Sequence, residues 1–494
     1  MTDDGARTIS LSLISHTNVG KTTLARTLLA RDVGEVRDEA HVTDTADEHT
    51  LAETSQGDRL QLWDTPGFGD SARVAKRLEA SGDPIGWFLS AVWDRFRDRA
   101  LWSSQQAVRN VRERADIVLY LVNASEPPEE AGYVAHEMRV LDWIGKPVVV
   151  LLNQLGKPRP AADEAAEIER WRRHLGGAKQ VRAVLPLDAF ARCWVQEATL
   201  LRALAPLLPD ASRPAFGRLV DAWMTQRRET FDASIAVLVE RLARAAADRE
   251  TLADDGLLGL LRTAPSPGRR AAMRALADRL DADIRAGTDR LIVLHGLEGQ
   301  AGAEVLARLA EHYVVREPLS ERKAAVVGGA VSGALAGLKA DLATGGLSFG
   351  AGLLAGGVIG ALGAFGIARG YNVVRGAKSS SVAWSDAMLG ELVITALLGY
   401  LAVAHYGRGR GDWTPSEHPP HWRAVVEEAV RERKDGFDHA WTLRDEAHAS
   451  TAVAAALDPL LADTALTILE TLYPGSLADD GPSPGPDAGP TRSA

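Results

Sequence analysis

The stretch SHTNVGKTTLARTLL, from Ser15 to Leu29, constrains the fold of this chain more than any other feature. A loop of the form G-x-x-x-x-G-K-[ST] works only between a strand and a helix. Its backbone N–H groups and the helix N-terminus then converge on a phosphate, and the lysine reaches the outer oxygens. Gly20, Lys21 and Thr22 stand in place, and the first glycine is Ser15, a small residue where the chain leaves the strand. ISLSLI before the loop reads as the strand and KTTLARTLLA after it as the helix. Ser15, Asn18, Val19, Gly20, Lys21, Thr22 and Thr23 are therefore the expected phosphate-binding set.

The next informative segment is LQLWDTPGFGD. An apolar strand ends in Asp64, placed to hold a Mg²⁺-bound water, and the D-x-x-G spacing lets the Gly67 N–H meet a γ-phosphate. A strand followed by D-x-x-G, after a phosphate loop, is the switch II arrangement of GTPases. Thr22 is then the expected direct ligand of Mg²⁺. Switch I falls in the polar stretch DVGEVRDEAHVTDTADEHT, where Thr43 is the candidate metal ligand, with Thr45 and Thr50 as alternatives. The guanine-reading motif Asn-Lys-x-Asp is degraded to Asn153-Gln154-Leu155-Gly156. Asn153 remains, but the carboxylate that pairs with the base edge is gone. Asp188 in VLPLDAF lies near the expected final base loop and either compensates or simply caps a turn.

Beyond the motifs, ADIVLYLVNAS and KPVVVLLNQ are nearly unbroken apolar runs, as in central strands buried on both faces. A chain of 494 residues makes roughly two to four units. We expect an α/β P-loop GTPase domain over 1–200, a mostly parallel sheet with helices on both faces. A mainly α-helical region follows: amphipathic helices over 201–323, Gly/Ala-rich apolar helices over 324–405, and charged helices over 406–474. A disordered Pro/Gly/Asp tail occupies 475–494. Leu342 to Ala368 carries no charge and spaces glycines four apart, which suits close helix contact in lipid, and Leu392 to Ala404 is a shorter apolar run. A lipid or membrane-protein partner through 324–405 is thus expected, against the alternative of tight packing within the helical region. The net charge of −10 argues against bulk electrostatic binding of nucleic acid. The acidic N-terminus does not resemble a signal peptide, which points to the cytoplasm or the inner face of the membrane. The lone Cys193 fits a reducing compartment and ordinary packing, and His16, His41 and His405 show no ligand spacing for a transition metal.

These motifs, with Asn18-Val19-Gly20-Lys21, WDTPGF, ADIVLYLVNAS and WIGKPVVVLLNQ, resemble the Era/TrmE-like branch of bacterial small GTPases. HTNVGKTTLARTLLARDVGEV and the long C-terminal region resemble, more narrowly, a bacterial family joining a GTPase to a domain of unknown function. The resemblance implies GTP and GDP as ligands, Mg²⁺ as cofactor and Asn18, Lys21 and Gly67 as catalytic residues. Phe68 replaces the water-orienting glutamine of Ras-like enzymes. In some members of the branch the loop asparagine, matching Asn18, holds a K⁺ that stands in for an arginine finger; the alternative is that it only holds the loop. An insert over 70–110 interleaves Trp87, Phe88, Trp93, Phe96 and Trp102 with Arg95, Arg97 and Arg99, and is expected to pack on the domain, the alternatives being a protein partner or stacking on nucleic acid. The function implied is a GTP-hydrolysing switch driving the helical half. Its alternatives are a factor in ribosome or tRNA maturation, a dynamin-like membrane remodeller, and a non-hydrolysing scaffold. Lys21→Ala is expected to abolish nucleotide binding in a fluorescence titration; unchanged affinity would remove the site from this loop.

Overall fold

The computed structural model describes residues 5–29, 46–79, 99–154, 161–187, 193–252, 267–297, 371–375, 380–405 and 420–477. The N-terminal elements alternate: β1 (Thr8–Ser15), α1 (Lys21–Leu29), β2 (Asp47–Glu53), β3 (Arg59–Asp64), α2 (Ser71–Glu79), α3 (Arg99–Glu113), β4 (Ile117–Asn123), α4 (Gly132–Ile144), β5 (Val148–Asn153), α5 (Ala161–Leu175) and β6 (Val181–Pro186). The six strands form one sheet in the order β2-β3-β1-β4-β5-β6, parallel except for β2. β5 is buried along its whole length and β4 over all but its last residue, as their unbroken apolar runs require. β2 corrects the sequence expectation of a loop through residue 50: DEHTLAE lacks alternation, yet pairs antiparallel with β3, Thr50 opposite Gln61. Thr50 is thereby a strand residue rather than part of a closing loop.

The C-terminal half contains α6 (Trp194–Leu204), α7 (Arg213–Ala247), β7 (Arg249–Leu252), α8 (Pro267–Leu294), β8 (Tyr371–Arg375), β9 (Ser380–Trp384), α9 (Asp386–Ala404), α10 (Pro420–Glu432), α11 (Lys434–Thr442) and α12 (Ala449–Leu472). The two long amphipathic runs read from the sequence are the single helices α7 and α8. The half is mainly helical, as expected, and adds a small antiparallel sheet, β7-β9-β8. Its strands are four or five residues long, and β7 lies more than a hundred residues before β9, so the sequence pattern does not announce the sheet.

Alternation along the strands separates two cores. One face places Ile14, Val118, Tyr120, Val122 and Val150 against α2, α3, α4 and α5, with Trp171 fully buried. The other face places Leu11, Leu13, Leu62, Leu119 and Leu151 in one cluster with Phe216, Leu219, Trp223 and Phe231 of α7 and with Leu397 and Leu401 of α9. The sheet and the C-terminal helices thus share one continuous apolar core, at about 1.5–3 kcal/mol for each large side chain buried. Among the described residues, α9 and α12 are long and apolar enough to cross a membrane. In α9, Leu389, Leu392, Val393, Ala396, Leu397 and Leu401 are buried in this shared core, as in a core helix. Leu342–Ala368, the other apolar run, lies outside the described residues, as does most of the aromatic insert.

Charge reinforces the junction at the β2–β3 turn. Asp58, fully buried, accepts from Arg218 of α7 through both oxygens (2.8 and 3.1 Å), from the Arg7 N–H (3.0 Å) and from Thr54 Oγ1 (3.1 Å). The Arg218 guanidinium, with these hydrogen bonds, holds the Asp58 carboxyl down at about 2, against the desolvation of burial. A depressed carboxylate stabilises the fold above its unfolded value, and that contribution is lost as pH falls through the folded one. Arg218→Ala is expected to cost about 2 kcal/mol near neutrality. The gap from the wild type should shrink as acid protonates Asp58. Urea unfolding from about pH 7 down to about pH 3 checks this, and a constant gap would contradict it.

Candidate functional site

The loops after β1, β3 and β5 meet at the C-terminal edge of the sheet, where open α/β sheets bind ligands. β1 and β3 are neighbours with Leu13 opposite Asp64, and β4 and β5 end level at Asn123 and Asn153. The loop leaving β1 turns through two left-handed residues, Asn18 (φ 62°) and Gly20 (φ 99°), before α1 starts with the Leu24 N–H on the Gly20 carbonyl. Asn tolerates the first turn and Gly is required at the second. A Cβ on Gly20 would stand 2.7 Å from Asn153 Nδ2.

Lys21 is buried at the start of α1, where its ammonium donates to Ser15 Oγ (3.0 Å) and to the His16 carbonyl (3.4 Å). Ser15 thus supplies a hydroxyl acceptor for the lysine. Burial lowers the Lys21 pKa, opposed by the nearby Asp64 and Glu137 carboxylates. Thr22 Oγ1 donates to Asp64 Oδ2 at 2.6 Å, which brings together two of the three residues expected at the metal. The other carboxylate oxygen, Oδ1, is buried without a hydrogen-bond partner. Burial pushes the Asp64 pKa up to about 6, against the Thr22 hydrogen bond and the Lys21 charge.

A hydroxyl beside a buried carboxylate with one orphaned oxygen fits a hard cation such as Mg²⁺. Such a cation, when bound, neutralises charge shared between phosphate oxygens. No cluster of three or more acidic, histidine or cysteine ligands exists among the described residues, so a cation here would take its remaining oxygens from phosphate and water.

Gly67 packs so closely that a Cβ would meet Lys21 Nζ and Thr17 Cα at 3.0 Å each. Phe68 is fully buried in the second core, so the position of the Ras-like glutamine carries no polar side chain. Its backbone is tied to the phosphate loop by Phe68 N–H to the Ser15 carbonyl (2.9 Å) and Thr17 N–H to the Phe68 carbonyl (3.3 Å). Asn153 is fully buried and donates through Nδ2 to the Val19 carbonyl at 2.6 Å, bracing the loop, while Gln154 takes a left-handed turn (φ 56°). The structure therefore brings Ser15, Asn18, Val19, Gly20, Lys21, Thr22, Thr23, Asp64, Gly67 and Asn153 into one loop cluster. Thr43, Thr45 and Asp188 lie outside the described residues.

Sequence reading missed His16 and Glu137. His16 Nδ1 lies 2.8 Å from Glu137 Oε1 across 121 residues of chain, so no local spacing could signal the pair. Cys193 is buried at the N-terminus of α6, where its backbone N–H donates to Gln196 Oε1 (2.9 Å).

Residues 177–458 match the family profile of a domain of unknown function, DUF3482, and residues 10–154 match that of the 50S ribosome-binding GTPases. The chain belongs to the DUF3482 family. Its N-terminal domain is a GTPase domain, the combination the motifs led us to expect. Similar solved structures include Aquifex aeolicus Era bound to GDP and aluminium tetrafluoride, at 18% identity and a TM-score of 0.31 over 41% of this chain and 58% of that one. Era in complex with MgGDPNP and nucleotides 1506–1542 of 16S ribosomal RNA gives 17% identity and a TM-score of 0.31 over 42% and 58%. The DUF3482 chain spans a little over half the length of these Era chains. No curated protein matches it.

Thr22→Ala is expected to weaken Mg²⁺-dependent binding of GTP by roughly tenfold or more, while binding measured in excess chelator changes little. Isothermal titration with and without Mg²⁺ checks it, and equal losses in both conditions would overturn the assignment.

Proposed function

We propose that this DUF3482 protein is a Mg²⁺-dependent GTPase switch whose C-terminal half senses the nucleotide through α7. In this reading the Gly20–Thr23 backbone, with Ser15 and Val19 shaping the loop, cradles the phosphates and Lys21 neutralises them. Thr22 and Asp64 hold Mg²⁺, and Gly67 senses the γ-phosphate. Asn18 is exposed at the tip of the loop, where a K⁺ would stabilise charge developing between the β- and γ-phosphates. Asn153 braces the loop from beside the base site, and Thr43 and Asp188 complete the metal and base contacts.

The observation that carries the coupling is the double grip of α7. Arg218 holds the β2–β3 turn through Asp58, and β3 leads from that turn directly to Asp64, about 20 Å away. Arg227 reaches the Leu28 carbonyl at 3.3 Å, at the far end of the helix that begins with Lys21, while pairing with Glu197 (3.2 Å) and lying over Trp223 (4.9 Å). A shift of either switch element is thus delivered to one 35-residue helix.

A ribosome-linked role is the second reading, favoured by the family description of residues 10–154 as 50S ribosome-binding GTPases. The net charge of −10 sets a condition on it: contact with RNA would have to be local. The burial of α9 in the shared core supports a role without membrane insertion for that helix.

The deciding experiment displaces a fluorescent guanine nucleotide with GTP, GDP, ATP and XTP, and then follows phosphate release in K⁺ and in Na⁺. GTP and GDP should compete, and release should be faster in K⁺. Equal competition by ATP would overturn guanine specificity, and no release over hours would favour a non-hydrolysing scaffold. Hydrogen exchange in α7 should differ between the GDP state and that of a slowly hydrolysed GTP analogue; identical exchange would sink the coupling. Co-sedimentation with 50S subunits would bring the second reading forward.

A further inference from the structure

His16 occupies the second position of the phosphate loop, and its main chain and side chain serve different elements. On the main-chain side, the two hydrogen bonds that tie Phe68 to the loop flank it, on Ser15 and Thr17, in a short parallel bridge between His16 and Phe68. Its carbonyl accepts from Lys21 Nζ. The peptide of His16 is therefore shared by the lysine and by the turn that carries Gly67. On the side-chain side, the ring stacks on Tyr133 of α4, with centroids 4.5 Å apart and planes 22° apart, and its Nδ1 meets Glu137 Oε1 at 2.8 Å. The second oxygen of Glu137 accepts from Tyr120 Oη of β4 at 2.6 Å.

Glu137 and Tyr120 are both fully buried. A buried carboxylate is costly unless its oxygens are bonded, and a network in which both are bonded resists displacement. Close packing gives this rigidity a consequence. Gly67 has no room toward Thr17 Cα or Lys21 Nζ, so movement of the His16 peptide cannot be absorbed before it reaches the γ-phosphate-sensing turn.

We propose that Glu137 is a positioning residue for GTP hydrolysis: through His16 it sets the spacing between Lys21 and the Gly67 turn. The inference deepens the GTPase reading and rests on it. Contacts made to a diphosphate come from the Gly20–Thr23 start of α1, whereas contacts made only with the γ-phosphate need the Gly67 turn in register. Loosening His16 should therefore spare GDP and penalise GTP.

The test uses the full chain with Glu137→Leu, Glu137→Gln and His16→Phe, the last keeping a ring against Tyr133 while removing Nδ1. For Glu137→Leu and His16→Phe, kcat should fall roughly 10- to 100-fold, and the preference for a slowly hydrolysed GTP analogue over GDP should fall roughly tenfold. GDP affinity should stay within about threefold. Glu137→Gln, whose amide oxygen still accepts from His16 Nδ1, should recover part of both losses. Circular dichroism identifies any variant that fails to fold, in which case the other two decide. A folded Glu137→Leu or His16→Phe with kcat and nucleotide preference within about twofold of wild type overturns the proposal. Parallel loss of GDP and analogue affinity also overturns it, since that is the mark of general destabilisation. If the wild type itself releases no phosphate, hydrolysis fails as a reading, while the affinity ratio still judges the network.

Discussion

Among the described residues, one face of the six-stranded sheet is covered by α1 and by helices from the other half of the chain. Leu11, Leu13, Leu62 and Leu119 pack in the same cluster as Phe216, Leu219 and Trp223, and that cluster continues to the last helix. Burial of apolar surface is non-directional, so the face could have been covered in many orientations. The fully buried Asp58 and its bidentate pairing with Arg218 select one. The GTPase domain and the DUF3482 region are consequently packed as one body rather than as tethered neighbours, and α7 lies where β3 begins and α1 ends.

At the opposite end of the strands, polar groups are arranged with similar economy. Backbone hydrogen bonds staple switch II to the phosphate loop, the Lys21 ammonium rests on Ser15 and His16, and Asn153 braces the loop from behind. Asp64 Oδ1, beside Thr22 Oγ1, is buried without a hydrogen-bond partner. Phe68 shows how the loss of a polar catalytic side chain is compatible with the fold. Its ring anchors the turn in the core, and its backbone does the joining.

The phosphate loop, switch II and the central strands were legible because their signals are local. Gly20-Lys21-Thr22 and Asp64-Thr65-Pro66-Gly67 are read off consecutive residues, and β4 and β5 announce themselves by continuous burial. β2 was not legible, because DEHTLAE is a polar edge strand whose identity is decided by its partner β3. The same holds for β7, whose pairing with β9 spans more than a hundred residues. For α9 the sequence left two readings open: a long apolar helix suits a bilayer and a shared core equally well by composition, and its neighbours bury it in the core.

By itself the sequence determined the chemistry available: a nucleotide loop, an aspartate at the end of the switch II strand, a degraded base motif and a chain of amphipathic helices. Tertiary structure alone decided which groups act together. The His16–Glu137–Tyr120 network and the Asp58–Arg218 clamp join residues separated by 17 to 160 positions. Periodicity and motif spacing report only on neighbours within a turn or a strand. Charges this far apart in the chain meet only once the apolar faces have fixed how the sheet and helices stack, and the cost of burying them unpaired then selects the register in which they pair.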